Sequence, residues 1–110
     1  MEIEFKKSKL RKQCSEASEI KRAFGVNAKR VSSRLDEITS SPSLAVLLQI
    51  PAANCHPLTG NKAGVWALDV SANFRLLFEI AHDSIPIKED GSINIELITK
   101  IKIIEIEDYH

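Results

Sequence analysis

Four side chains able to move protons or hold anions stand at two places in the chain. The sequence ends Glu107-Asp108-Tyr109-His110: a carboxylate, a phenol and an imidazole follow one another directly after an isoleucine-rich run. A second imidazole, His56, lies in Cys55-His56-Pro57-Leu58-Thr59-Gly60, a stretch punctuated by Pro and Gly that reads as a loop. Residues carried on loops and held by a rigid scaffold are where chemistry concentrates. Cutting RNA without a metal needs a base for the ribose 2′-OH, an acid for the departing 5′-oxygen and a cation for the phosphoryl oxygens. Imidazole suits the first two, since its free pKa of ~6.5 lies near operating pH. The arginine fork suits the third. His56 and His110 are therefore the candidate proton-transfer pair, without a division of base from acid, and Arg75 is the candidate phosphate holder. Asp108 would orient a histidine, and Tyr109 would stack on a base or donate a hydrogen bond, as aromatics do with unstacked RNA.

Elements to position these groups are legible in the hydrophobic spacing. Leu10, Cys14, Ala17, Ile20 and Phe24 recur at helical intervals, and Gly25 fits the position just past the helix end. Asn27 reads as the N-cap of a second helix, with its stripe at Ala28, Val31, Leu35 and Ile38 and its stop at Ser40-Ser41-Pro42. Ser43 would cap a short turn ended by Pro51. Ile3 to Phe5 alternates as a short strand. From Val65 the period is two: Trp66, Leu68 and Val70 share one face, then Phe74, Leu76, Phe78 and Ile80, with Arg75, Leu77 and Glu79 opposite. Ile93 to Glu107 reads as the last strand region. Its apolar phase changes near 103–104, which calls for a bulge or a strand covered on both faces. The expected fold is α+β in a single domain, 1–110: an N-terminal helical hairpin packed on a twisted antiparallel sheet of about four strands, with the Arg75 face open.

Composition supports a globular chain and narrows its class. The 110 residues are 44% hydrophobic and 27% charged, enough for one core. No apolar run approaches ~18 residues, and the N-terminus has no signal-peptide core, so a cytoplasmic location without membrane attachment is expected. Cys14 and Cys55 form no disulfide framework there, and no second Cys or His stands at metal spacing from Cys55. Packing is the expected role of both thiols, with no metal and no cofactor. Net charge is zero but uneven: residues 1–34 hold ten Lys/Arg against four Asp/Glu, and the remainder five against eleven. The basic N-terminal third is either a surface for an acidic partner or a solvated helical face.

The loop and the C-terminal run together resemble the HigB-like branch of the RelE/ParE toxin superfamily. That pattern reads roughly H-P-L-K-G, then G-x-W, then R-(I/L)-x-F, with E-D-Y-H at the end. It stands here as His56-Pro57-Leu58-Thr59-Gly60, Gly64-Val65-Trp66, Arg75-Leu76-Leu77-Phe78 and Glu107-Asp108-Tyr109-His110. Thr59 replaces the usual lysine, Lys62 a frequent arginine, and Phe74 a phenol or indole. The resemblance implies the toxin of a type II toxin–antitoxin pair, a ribosome-dependent mRNA endonuclease neutralised by a cognate helix-turn-helix antitoxin. It would touch operator DNA only through that antitoxin. It carries the family's catalytic positions onto His56, Asp108, Tyr109 and His110, and substrate binding onto Lys62 and Arg75. Two alternatives stand beside it: a gyrase-poisoning toxin of the ParE kind on the same scaffold, and an inactive relic that only binds its antitoxin.

Overall fold

A computed structural model describes residues 1–108, so Tyr109 and His110 lie outside the described residues. The order is β1 (Glu2–Phe5), α1 (Ser8–Gln13), α2 (Ala17–Phe24), α3 (Ala28–Ser40), α4 (Leu44–Leu47), β2 (His56–Pro57), β3 (Val65–Ser71), β4 (Phe74–Ile80) and β5 (Lys100–Asp108). Helices lie against one face of a sheet, as an α+β chain requires. Among the described residues that sheet has five strands in the order β1-β5-β4-β3-β2. It is mixed, not antiparallel throughout.

The two edge strands explain the difference: the spacing predicts β1 as a strand but not its parallel pairing, and β2 alone is additional. β1 runs parallel to β5, setting Ile3 beside Ile101 and Phe5 beside Ile103, while Glu2 and Glu4 meet Lys100 and Lys102. Lys100 Nζ lies 3.9 Å from Glu2 and 3.6 Å from Glu4. A pairing between the two ends of a chain leaves no local signal. At the other edge, the segment expected as loop forms β2, with His56 opposite Ala67 and Pro57 opposite Trp66. Proline is admissible there because an edge strand leaves one row of N–H groups unused.

The single N-terminal helix is two. α1 stops at Gln13, and the Ser15 hydroxyl donates to the Lys12 carbonyl at 2.7 Å, a local bond that competes with the helical ladder. Gly25 takes the left-handed φ of +53°. Asn27 does not cap α3 through its side chain; a 3₁₀ turn over Gly25–Asn27 leads straight into the helix. The last strand begins at Lys100, because Ile95–Leu97 forms a 3₁₀ turn. The expected bulge is present: Leu77 pairs with Glu105 and Phe78 with Ile103, leaving Ile104 as the extra residue. It turns Ile106 back to the core side and Glu105 and Glu107 away from it.

The core lies between α3, α4 and the sheet. Val31, Ile38, Leu44, Leu47, Leu68, Leu76, Phe78, Ile101 and Ile103 are wholly buried. Phe78 stacks on Trp66 with centroids 6.2 Å apart, and Phe24 meets Phe74 edge-on at 6.2 Å. Trp66 is thus a packing residue, as its stripe indicates. Ala67 and Leu77 on the opposite face are also buried, yet stand outside this cluster. They floor the face that carries His56 and Arg75. Among the described residues no helix is long and apolar enough to cross a membrane.

Candidate active site

Residues 51–56 fix His56 by local geometry. A 3₁₀ turn over Pro51–Ala53 ends at Asn54, which sits in the left-handed region at φ 44°, ψ 50°. Asn54 is the sole non-glycine residue with positive φ among those described. Asparagine tolerates this conformation better than other side chains. Buried Ala53 and Cys55 anchor the backbone on either side of it. The twist aims the Asn54 carbonyl at His56 Nδ1, 2.7 Å away. A carbonyl oxygen only accepts, so Nδ1 carries the proton and Nε2 of the neutral ring holds the lone pair. The Asn54 side chain does a second job: its Nδ2 donates to Asp69 Oδ2 on β3 at 3.0 Å. Asn54→Ala is expected to cost about 1–2 kcal/mol, through the left-handed backbone and the lost bond to Asp69. Chemical denaturation reads that loss, and an unchanged midpoint would contradict it.

Strand register places the remaining groups. His56, Ala67, Leu77 and Glu105 form one row across β2, β3, β4 and β5. Asp69, Arg75 and Glu107 form the next row toward the β3–β4 turn. Residues opposite one another in antiparallel strands share a face, so His56 and Arg75 lie on the same face, away from the core. They are separated by about 10 Å across the sheet and about 7 Å along it. Both are half-buried on the face floored by buried Ala67 and Leu77, so the Arg75 face is less open than the spacing predicts. The acidic neighbours of Arg75 are cross-strand: Asp69 on one side and Glu107 on the other. Glu79 on the same strand opposes Lys102 instead.

Asp108 is exposed and stands opposite Phe74. Strand alternation therefore puts it in phase with Ile106 and Phe74, while Glu107 shares the face of Arg75. Lys62 is exposed on the 3₁₀ turn Gly60–Lys62, beyond the Val65 end of β3, so Lys62 and Arg75 flank the His56 row from opposite ends. Tyr109 and His110, the remaining candidates, fall outside the described residues. Asn54 and Asp69 were not legible as site residues: their contact spans fifteen positions of sequence and depends on strand pairing. The Ala-Asn-Cys-His run offers only the habit of asparagine in tight turns as a clue.

The cysteines and third histidine serve the scaffold. Burial pushes the Cys55 thiol up to about 12 and the Cys14 thiol up to about 11. Thiolate is the reactive form, so alkylation of the folded protein at pH 7.5 is expected to run about two orders of magnitude slower at Cys14, and slower still at Cys55, than for a free thiol. Rapid labelling of either residue in the native state would contradict this. His82 Nε2 accepts the Thr99 backbone N–H at 3.0 Å and ties down the connection before β5. Among the described residues no three His, Cys, Asp or Glu side chains stand together as a metal-ligand set.

No protein-family model matches the sequence, and no curated protein matches it. Among solved structures, the chain is similar to a YoeB/ParE toxin from Agrobacterium tumefaciens, with a TM-score of 0.59 at 12% identity over 100% of both chains. The chain thus shares the fold of that protein along its full length.

Proposed function

We propose that the chain is the toxin of a type II toxin–antitoxin pair, of the HigB-like branch, and that it stops translation by cutting mRNA on the ribosome. The observation that carries the chemistry is His56: its Nδ1–H is committed to the Asn54 carbonyl, which leaves Nε2 as a proton acceptor on the face shared with Arg75. The toxin-like fold, matched from end to end, supports the wider reading.

In this reading His56 Nε2 takes the proton of a ribose 2′-OH. The oxygen attacks the neighbouring phosphorus, the bond to the 5′-oxygen breaks, and His110 delivers a proton to that leaving oxygen. Arg75 offsets the charge gathering on the phosphoryl oxygens. Asp108, at the end of β5 and in phase with Phe74 and not with Arg75, orients the terminal imidazole, Tyr109 stacks on an unstacked base, and Lys62, in the β2–β3 connection, holds backbone phosphate. The cognate antitoxin, of the helix-turn-helix kind, neutralises the chain when bound.

A second reading rests on the charge around Arg75. Asp69 and Glu107 sit opposite it in register and compete with phosphate for its fork. This favours a toxin that blocks a protein target, as a gyrase poison does, over one that cuts RNA. Pulse labelling after induction separates the two. Loss of protein synthesis before DNA synthesis supports the nuclease, and the reverse order supports the gyrase-type toxin. Growth without arrest would remove both.

A further inference from the structure

Arg30 and Arg34 are four residues apart on α3 and share one side of that helix. Both line a cavity of ≈ 410 Å³ at the end of the sheet where β3 turns into β4, together with Ala52, Asp69 and Ser71. Arg30 is exposed, whereas Arg34 is only 8% exposed. Arg34 Nη1 is paired with Glu37. Its Nε, however, is buried and has no acceptor among the described residues. A guanidinium stays protonated, and a buried N–H left without an acceptor is unfavourable, so an incoming oxygen would relieve it. Of the carboxylates nearby, Glu37 is paired with Arg34, whereas Asp69 accepts a hydrogen bond from the neutral Asn54 amide and keeps its negative charge.

The geometry points to Arg30 and Arg34 as a phosphate-binding subsite for the backbone of single-stranded RNA, next to the reaction site. Phosphate fits because paired guanidinium N–H groups match its oxygens. RNA fits better than an acidic peptide because of what the cavity adjoins. Asp69 in its wall is the cross-strand neighbour of Arg75 and is bonded to Asn54, which holds His56. A strand held with its scissile linkage over that face would round the end of the sheet at the β3–β4 turn to reach α3 on the helical side. This subsite rests on the nuclease reading above and adds where the strand continues.

The test is fluorescence anisotropy of a labelled single-stranded RNA dodecamer on the purified full chain, over a range of salt concentrations. Arg30→Gln is expected to weaken binding about tenfold and to reduce the salt slope by about 0.7, the share of one phosphate contact. Arg34→Lys keeps the charge but loses the Nε–H, and the same weakening is expected. Arg30 is exposed, so Arg30→Gln decides the matter if Arg34→Lys fails to fold. The proposal is overturned if the wild type does not bind the RNA, or if folded Arg30→Gln binds it with unchanged affinity and slope. It is equally overturned if polyglutamate, and not RNA, loses affinity in the variant, which would assign the cavity to a protein partner. Failure of the toxin reading is a separate result: no growth arrest, with RNA affinity still dependent on Arg30, leaves the subsite standing.

Discussion

His56→Asn is expected to lower mRNA cleavage by about 10²–10⁴-fold while the protein stays folded. Asparagine is the informative replacement. Its side-chain amide reaches the place of Nδ1 and can still donate to the Asn54 carbonyl, which the imidazole contacts at 2.7 Å. The group it removes is Nε2, the lone-pair nitrogen that the bond to Asn54 leaves outward. The ring is half-buried on a two-residue edge strand, so its loss disturbs little packing. The effect therefore falls on the chemical step and not on stability. Cleavage assayed on programmed ribosomes, beside a thermal melt of the same preparation, separates the two. A variant that retains more than about a tenth of wild-type cleavage cannot have lost a general base of ordinary effect.

Phe78→Ala should carry the largest cost in stability, about 3–5 kcal/mol. Phe78 is wholly buried at the centre of the sheet, on the helical face, and stacks on Trp66 at an interplanar angle of 16°. Truncation removes the ring's own burial and leaves a cavity that the β3–β4 pair cannot close, because both strands are held by register on either side. Against a domain stability of about 5–15 kcal/mol, such a loss takes away a large share. The melting temperature should fall by roughly 12 °C or more. Val26→Ala is the matched control: Val26 is 98% exposed at the turn between α2 and α3, and its truncation should change stability by no more than about 0.5 kcal/mol. Equal effects at the two positions would mean that the core is misplaced.

What could be read from the letters was what periodicity encodes. The stripes of α2 and α3, the β3–β4 hairpin and its buried face, and the phase change that becomes the Ile104 bulge all follow from local spacing. What escaped depends on long-range pairing or on a single side chain's choice. The parallel contact of β1 with β5 joins the two ends of the chain, and β2 exists only because Ala67 and Trp66 offer it a ladder. The break between α1 and α2, where Glu16 is extended and the Ser15 hydroxyl bonds back to the Lys12 carbonyl, falls inside a stripe whose spacing is helical throughout. For the site, His56 and Arg75 were recognisable by residue type. The cross-strand acids about Arg75, and the Asn54–Asp69 contact that holds the imidazole's support, emerge only once the register is known.

That His56 works as a base on messenger RNA is tested most directly by mapping 5′ ends of cellular mRNA shortly after induction. New ends are expected inside translated reading frames with the wild-type chain and none with His56→Asn at equal protein level. Growth arrest by the wild type with every message intact would contradict it.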